Sequence, residues 1–443
     1  MSYKVSMLSL GCEKNRVDAE ILLSNLKNAG YEIVPDVFLC DIAIVNTCGF
    51  IDDAKRESID EILNLIRLKE NGIIKFIVVT GCLAQRYQEE VVSEFPEVDA
   101  VIGIGDNGNI SKAVESIING VKYKSFPDKL SLPLNGDRIR TTPSYYAYLK
   151  IAEGCDNRCA YCAIPLIRGR FRSRRMEDIL KEAWNLAKSG VKELLVIAQD
   201  TTRYGEDIYQ KLILPDLLNE LCKIDGIEWI RILYCYPDRV TDELLDVILK
   251  QDKILNYIDI PLQHCSGKIL KSMNRRGDKN SLLKLIEKIR AKIPDVTLRT
   301  TFICGFPGED DEDFTELCEF CNEVKFDRLG CFTYSKEEDT PAFYMDDQVT
   351  EDLKIRRQEI IMQQQALIME EKNKKKIGKV FKVLVEEYKE DEDTFYARSK
   401  EDSPDVDGRV LFKSENKNIR PGEFVNVKIT GYLEYDLIGT AID

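Results

Sequence analysis

The chain has 443 residues, which is enough for roughly three domains of about 150 residues each. Its 63 Lys and Arg against 77 Asp and Glu give a net charge of −14, which argues against a general nucleic-acid-binding protein because such proteins present a basic surface. Fourteen cysteines accompany a single histidine, His264, so the composition also argues against a zinc enzyme with histidine ligands.

Residues 1–121 are predicted to form an α/β domain with a parallel sheet. The apolar stretches VSMLSL, DIAIVNT and FIVVT each precede a helical pattern, and each ends close to a cysteine: Cys12, Cys48 and Cys82. The three cysteines are 36 and 34 residues apart, about one strand-helix-strand unit each. Because parallel strands end at the same edge of a sheet, we expect the three thiols to converge. Spacing alone leaves two interpretations open, buried structural cysteines or a metal-cluster site.

A proline-containing linker at 122–143 leads to a second domain, predicted at 141–371. Strands are expected at 145–151, 193–198, 229–234, 256–260, 297–303 and 328–334, with helical patterns between them. A closed barrel of this type needs eight strand-helix units and about 250 residues. Six units in a shorter segment predict a partial (β/α)6 barrel that is open on one side.

The first strand of this domain is followed by a CxxxCxxC motif, Cys155, Cys159 and Cys162. A structural zinc site would need four ligands, and no fourth cysteine or histidine is nearby. Three thiolates suit a 4Fe-4S cluster that keeps one iron open for another ligand. The position, at the carboxyl end of a barrel strand, is where barrel enzymes carry their active sites.

A charged helix at about 351–376 leads into the last domain, predicted at 374–443. Five short strands separated by turn residues indicate a small all-β barrel. Residues 377–443 carry 10 basic and 15 acidic residues, a balance of −5.

The CxxxCxxC segment resembles the radical S-adenosylmethionine (radical SAM) enzymes. LGCEKNRVDAE, NTCGFID and GCLAQRY resemble the N-terminal domain of a subfamily, the methylthiotransferases, and the last domain resembles a TRAM domain. The resemblance implies two 4Fe-4S clusters, one held by Cys155, Cys159 and Cys162 and the other by Cys12, Cys48 and Cys82. It also implies that S-adenosylmethionine occupies the open iron of the first cluster.

Four further residues are candidates for binding S-adenosylmethionine. Gln199 and Asp200 follow a strand of the barrel, and a site at a strand end can face the cofactor. Ile303 and Gly305 belong to a segment that resembles the adenine-contacting region of radical SAM barrels.

Two branches of the subfamily differ in substrate. One modifies an aspartate of the twelfth small-subunit ribosomal protein, and the other modifies an adenosine of tRNA. Five stretches of this sequence resemble the first branch, namely KNRVD, GFID, QDTTRYG, YIDIPLQH and FTYSKEEDTPA. An acidic C-terminal barrel also suits a basic ribosomal protein, free or on the ribosome, better than tRNA. Two alternatives to the aspartate-modifying enzyme stay open, the tRNA-modifying enzyme and a non-catalytic, zinc-bearing ribosome-binding protein.

The remaining expectations concern cysteines, arginines and location. The sequence shows neither a signal peptide nor a run of 18 apolar residues, so we expect a cytoplasmic protein with no membrane segment. Its thiols are expected to be reduced, and its cluster is expected to need an electron donor. The run from Arg168 to Arg175 has five arginines, which form either a solvated surface or part of the site. His264 is either a core histidine or a proton carrier near the substrate. The other eight cysteines, among them the CxxC at Cys318 and Cys321, are expected to pack in cores.

Overall fold

The structure is a computed structural model that describes residues 3–442. Its first part is a six-stranded parallel sheet with the order β2-β1-β3-β4-β5-β6. The strands are β1 (Lys4–Ser9), β2 (Glu32–Ile33), β3 (Ile42–Thr47), β4 (Phe76–Gly81), β5 (Ala100–Ile102) and β6 (Tyr123–Ser125). The helices are α1 (Glu13–Asn28), α2 (Asp52–Glu70), α3 (Cys82–Tyr87), α4 (Glu89–Glu94) and α5 (Ile110–Ile118).

The parallel arrangement follows from apolar residues on both faces of the strands. In β3, Ala43 and Val45 join the core on one side, whereas Ile42 and Ile44 join the core on the other. The three predicted strands are confirmed as β1, β3 and β4, which are neighbours in the sheet. The three further strands have only two or three residues each, too few to give a periodic pattern in the sequence.

The second part is a six-stranded parallel sheet that curves into a partial barrel. Its order is β14-β13-β12-β11-β10-β7, so β7 and β14 lie at opposite edges and leave the barrel open, as predicted. The strands are β7 (Tyr146–Lys150), β10 (Glu193–Ile197), β11 (Trp229–Ile232), β12 (Ile254–Asp259), β13 (Thr297–Cys304) and β14 (Arg328–Thr333), with a separate antiparallel pair of β8 (Ala152–Glu153) and β9 (Arg172–Ser173).

Helices surround this sheet and lead out of it. They are α6 (Ile164–Arg168), α7 (Met176–Lys188), α8 (Glu206–Tyr209), α9 (Leu214–Cys222), α10 (Asp242–Lys250), α11 (Gly267–Ser272), α12 (Lys279–Lys292), α13 (Asp311–Val324) and α14 (Glu351–Lys374). The cysteines of the CxxC lie on α13 and pack against the barrel core. Short 3-10 helices occur at Val37–Leu39, Ile104–Asn109, Lys129–Ser131, Thr201–Arg203, Pro237–Arg239 and Pro341–Tyr344.

The third part is the predicted five-stranded β-barrel, and it is closed. Its strands are β15 (Val380–Lys389), β16 (Thr394–Ser399), β17 (Val410–Lys413), β18 (Phe424–Leu433) and β19 (Asp436–Ile442), in the order β15-β16-β17-β19-β18. Pairing of β15 with β18 closes the barrel around an apolar core that includes Phe395 and Phe412. The domain boundaries at 1–121, 141–371 and 374–443 stay predictions.

Buried charges join the small barrel to the amino ends of the central strands. Glu193, at the start of β10, binds Arg231 at 2.8 Å and Arg398 of the small barrel at 2.6 Å. Arg328, at the start of β14, binds Asp402. All five side chains are at most 6% exposed. The loop after β16 therefore covers the amino ends of the central strands, and the carboxyl ends are left for the site.

No helix within residues 3–442 is long and apolar enough to cross a membrane.

Candidate functional site

The three N-terminal cysteines lie at the carboxyl ends of three adjacent strands. Cys12 follows β1 and caps α1, Cys48 directly follows β3, and Cys82 follows β4 as the first residue of α3. The Cys48 loop is fixed by Ser58, whose hydroxyl accepts from the Cys48 N–H and donates to its carbonyl, both at 2.9 Å. The predicted arrangement at one sheet edge is therefore present.

Glycines keep space free around these thiols. Gly11 has φ +80°, and a Cβ there would lie 2.8 Å from Sγ of Cys48. Gly81 has φ +98°, and a Cβ there would lie 2.5 Å from the backbone nitrogen of Thr47. Any larger residue would fill the space between the strand ends or strain the turn, so the glycines preserve a cradle beside the thiols.

Cys48 and Cys82 are buried, whereas Cys12 is partly exposed. Burial raises the pKa of Cys82 to about 12 and raises the pKa of Cys48 as well. Such thiols become thiolates when a positive charge compensates them, as the irons of a cluster or an adjacent arginine would. Arg168 is that arginine, because its Nη2 lies 3.5 Å from Sγ of Cys82.

Arg168 also belongs to a buried ionic network between the first two domains. Its guanidinium donates to Asp18 of α1 at 2.8 Å and to Glu153 at 2.9 Å. Lys150 binds the same two carboxylates, and all four side chains are at most 2% exposed. Although burial alone would raise the pKa of Glu153, Arg168 and Lys150 hold it well below its usual range. The sequence analysis missed Asp18, Lys150 and Glu153, and the only signal was charge within or beside apolar segments.

The second triad lies on a loop that the antiparallel pair closes. Strands β8 and β9, which the sequence did not predict, pair with each other. Strand β8 ends just before Cys155, and β9 follows the loop that carries the three cysteines. Within the loop, the Cys155 N–H donates to the carbonyl of Gly169 at 3.1 Å, and the Cys162 N–H donates to that of Cys159 at 3.0 Å. Burial raises the pKa of Cys155 to about 12. The loop thus holds three protected thiols at the carboxyl end of the barrel.

We expect Gly154→Ala to displace this loop. Gly154 has φ +73°, and a Cβ there would lie 2.1 Å from the carbonyl oxygen of Arg170. The change should destabilise the protein by about 2–4 kcal/mol and lower its iron content, since strain and a backbone clash act together. The matched control is Gly190→Ala, because Gly190 has φ +94° but nothing within 4 Å of its Cβ. Urea denaturation and iron analysis of both variants measure the loss of stability and of iron. Equal losses in the two variants would contradict the role of the backbone clash at Gly154.

Asp200 supports the cluster loop from the next strand end. Its side chain is fully buried and accepts from Asn157 Nδ2 at 2.9 Å and from Arg239 Nη1 at 3.1 Å. Arg239 also donates to Asn157 Oδ1 at 3.1 Å. These contacts fix a residue of the loop, so Asp200 is connected to the triad through Asn157.

Gln199 offers an unused acceptor beside the same loop. Its Nε2 donates to Glu153 at 3.1 Å, while its buried Oε1 has no hydrogen-bond partner within residues 3–442. A buried acceptor without a partner is costly, and the amino group of a bound amino-acid cofactor would satisfy it. This chemistry fits the S-adenosylmethionine that the sequence implies.

The two residues predicted from the β13 segment have different surroundings. Ile303 packs in the apolar cluster that contains Ala160 and Tyr161 of the cysteine loop. Gly305 has φ +73°, and a Cβ there would lie 2.2 Å from Cγ of Lys354. Ile303 therefore lies near the loop, whereas the need for glycine at 305 has a packing cause.

His264 has the contacts of a core histidine. It is fully buried, and its Nδ1 accepts from the Ser266 N–H at 3.0 Å. Its Nε2 has no hydrogen-bond partner within residues 3–442 and lies 3.5 Å from Glu309, a carboxylate that accepts from Arg357 and from the Gly305 N–H, both at 2.9 Å.

Some arginines of the run from Arg168 to Arg175 are buried beside the site, and others face solvent. Arg168 and Arg174 are buried, at 1% and 4% exposure, whereas the Arg170 side chain is 76% exposed. Arg174 donates to the Lys150 carbonyl and pairs with Glu182 at 2.6 Å. Among the arginines of this run, only Arg168 has a hydrogen bond to a cysteine of a triad within residues 3–442.

The first triad lies in contact with the segment that follows the second triad. Cys82 packs against Ala163, the residue directly after Cys162, and against Ile167 of α6. Nearby, Tyr234, just beyond β11, donates to Glu13 at 2.8 Å, which places the start of α1 over the central barrel. Both triads are therefore on the side where the N-terminal domain covers the central one.

No three His, Cys, Asp or Glu side chains in the described part of the chain, residues 3–442, are arranged to hold one metal ion. The thiolates of a 4Fe-4S cluster bind different irons and stand farther apart than the ligands of a single ion. Their number, their burial and the glycine cradle fit the donor set of such clusters.

Comparisons with known proteins agree with the three-part organisation. Residues 4–103 match the uncharacterized protein family UPF0004, residues 149–321 match the radical SAM superfamily, and residues 377–442 match the TRAM domain. A protein of Clostridioides difficile (strain 630) named ribosomal protein uS12 methylthiotransferase RimO is 51% identical over 441 residues, covering 99% of both chains. A protein of the same name from Thermoanaerobacter sp. (strain X514) is 50% identical, covering 98% of this chain and 99% of the relative.

Among solved structures, the radical S-adenosylmethionine methyltransferase TsrM from Kitasatospora setae has a similar fold. The TM-score is 0.57 at 14% identity, covering 77% of this chain and 74% of that one. The cobalamin-dependent radical enzyme OxsB gives 0.52 at 15% identity, covering 82% and 56%. These likenesses concern the fold alone.

Proposed function

The chain belongs to the family of RimO-type ribosomal protein uS12 methylthiotransferases, and on that premise we propose that it transfers a methylthio group to the β-carbon of an aspartate in uS12. The enzyme is a radical SAM methylthiotransferase. We place its action in the cytoplasm, where its substrate is made.

We propose that each cysteine triad holds one 4Fe-4S cluster. Cys155, Cys159 and Cys162 would hold the cluster that binds S-adenosylmethionine, and the N-terminal three would hold the other. When bound, these groups supply a 5′-deoxyadenosyl radical that removes a hydrogen from the substrate carbon and the methylthio group that replaces it.

The residues of this chain bind, orient and shield these groups. Gln199 would accept from the cofactor's amino group through Oε1, and Ile303 would border its adenine. Asp200 would act as a positioning residue through Asn157. Arg168 would hold positive charge against the thiolate of Cys82, and the covering N-terminal domain would exclude water from the shared space.

One observation carries the proposal more than any other. Cys82 of the first triad packs against Ala163, the residue after Cys162 of the second. A reaction that joins a radical at one cluster to a sulfur group at the other needs such neighbouring sites, because the reacting atoms must come within contact distance.

Mass spectrometry of three substrates tests the proposed function. Holoenzyme with both clusters reconstituted, S-adenosylmethionine, a sulfide source and dithionite is incubated with free uS12, with small ribosomal subunits and with tRNA. We expect uS12 to gain the mass of one methylthio group in place of hydrogen at an aspartate, and tRNA to remain unchanged. The free and ribosomal arms show which form of uS12 is modified.

Modification of an adenosine in the tRNA arm with unchanged uS12 would contradict the proposal in favour of the tRNA-modifying alternative. Zinc in place of iron in the purified protein would favour the non-catalytic alternative.

A further inference from the structure

A cationic cleft lies beside the cluster loop, whose residues Asp156 and Asn157 line it. The cleft has a volume of about 540 Å³, and its basic residues are Arg203, Arg239, Lys271, Arg275 and Arg276. Asp156 and Asp238 also line it, so the local balance is positive in a chain whose net charge is −14. A positive surface on an acidic protein is a feature that calls for a binding partner of opposite charge.

Three of these cations have no carboxylate partner within residues 3–442. Arg203 pairs with Glu206 at 2.6 Å, and Arg239 pairs with Asp200 at 3.1 Å. Lys271, Arg275 and Arg276 form no ion pair in the described part of the chain. Lys271 and Arg276 are exposed, so their charges are available to a docking protein.

Arg275 connects the cleft with the cluster loop. Its Nη1 lies 3.6 Å from Sγ of Cys159, and its Nη2 donates to the Pro261 carbonyl at 2.8 Å. Asn274, beside it in the cleft, donates to the carbonyl of Arg158 at 2.8 Å. Only one side chain therefore separates the cleft from a thiol of the second triad.

We propose that the cationic cleft docks the protein that delivers the electron to the cluster at Cys155, Cys159 and Cys162, an inference that rests on the proposed function. The positive charge of the cleft calls for an acidic partner, and the delivery of one electron requires that partner to carry a one-electron centre such as a flavin or an iron–sulfur cluster. Charge complementarity guides such encounters, and a short path favours electron transfer. A basic ribosomal protein would be repelled here, so the cleft separates the donor from the substrate.

The docking step forms and breaks no bond. One electron would leave the reduced centre of the donor, which would be oxidised, and reduce the cluster that Cys155, Cys159 and Cys162 would hold. No proton or leaving group accompanies it.

The test compares two reductants in the same holoenzyme. The double variant Lys271→Glu/Arg276→Glu is assayed for 5′-deoxyadenosine, once with dithionite and once with an acidic flavodoxin kept reduced by its reductase. We expect the dithionite-driven rate to stay within about twofold of the unchanged enzyme, and the flavodoxin-driven rate to fall about tenfold at low ionic strength. Salt should slow the flavodoxin-driven rate of the unchanged enzyme and affect the variant less.

The matched control is Lys112→Glu/Lys379→Glu, which makes the same charge change at exposed positions of the other two domains. Its rates should match those of the unchanged enzyme with both reductants. Equal losses with both reductants, or no loss with either, would overturn the docking proposal. A loss with both reductants that appears only when ribosomal subunits are the substrate would assign the cleft to RNA.

A binding measurement keeps the docking proposal separate from the proposed function. The affinity of oxidised flavodoxin for the holoenzyme, followed by flavin fluorescence, should weaken about tenfold in the double variant and not in the control. This readout needs no turnover. Absence of methylthiolation in the unchanged enzyme would contradict the proposed function, whereas equal flavodoxin affinities would contradict the docking.

Discussion

Cys155→Ala and Cys48→Ala should each remove one cluster but stop the reaction at different steps. Each variant is expected to retain about four of about eight iron atoms per chain, because each triad would hold its own 4Fe-4S cluster. Cys155→Ala should form no 5′-deoxyadenosine. Cys48→Ala should still form it but should give no methylthiolated uS12, because the site that supplies the sulfur group would be lost. Iron analysis, chromatography of 5′-deoxyadenosine and mass spectrometry of uS12 measure the three quantities.

The control for these variants is Cys321→Ala, since Cys321 is a buried core cysteine on α13 that contacts neither triad. It should retain all the iron and full turnover, with a modest loss of stability. A Cys48→Ala protein that still carries the full iron content would rule out the N-terminal cluster, and loss of all iron in either variant would contradict two independent sites.

Arg168→Met should lower the free energy of unfolding by about 3–5 kcal/mol, because removing one partner of a buried ionic group leaves the others uncompensated. In this chain Asp18 and Glu153 would be left with Lys150 alone. The variant should also lose iron from the N-terminal site, since the Cys82 thiolate loses its adjacent positive charge. Urea denaturation and iron analysis measure the two effects.

Arg170→Met is the matched control, from the same arginine run but with a side chain that is 76% exposed. It should change stability by less than about 0.5 kcal/mol. Arg168→Lys keeps the charge but lacks the planar guanidinium that reaches Asp18, Glu153 and Cys82 at once, so it should recover only part of the loss. A stable Arg168→Met protein with a full iron content would contradict the role of the network.

The sequence was sufficient for the architecture because each of the longer strands carries its own signal. The apolar run of β3 predicts a strand buried on both faces, and its core residues do alternate between two apolar cores. The cysteines at the ends of β1, β3 and β4 could be expected to converge because the strands are parallel neighbours. The β8 and β9 pair escaped prediction because two-residue strands have no period.

The charged contacts of the site could not be predicted because they depend on how distant segments pack, and several of them form between domains. Nothing in RGRFRSRR distinguishes Arg168, which is buried against α1, from Arg170, which faces solvent. The partners of Arg168 are 15 and 150 residues away in the chain. Only the packing of one domain on the next decides which arginine meets a carboxylate.

The central barrel relies on its neighbours at both ends, and this limits how the protein can be dissected. At the carboxyl ends of the strands, Asp18 of the N-terminal domain forms ion pairs with Lys150 and Arg168 of the barrel. At the amino ends, Arg398 pairs with Glu193, and Asp402 pairs with Arg328. An excised central fragment would expose these charges without their counterions and lose the cover on its apolar edges. Cutting the gene at its domain boundaries would therefore yield no autonomous catalytic core, and engineered chimaeras must exchange the interfacial charges as matched sets.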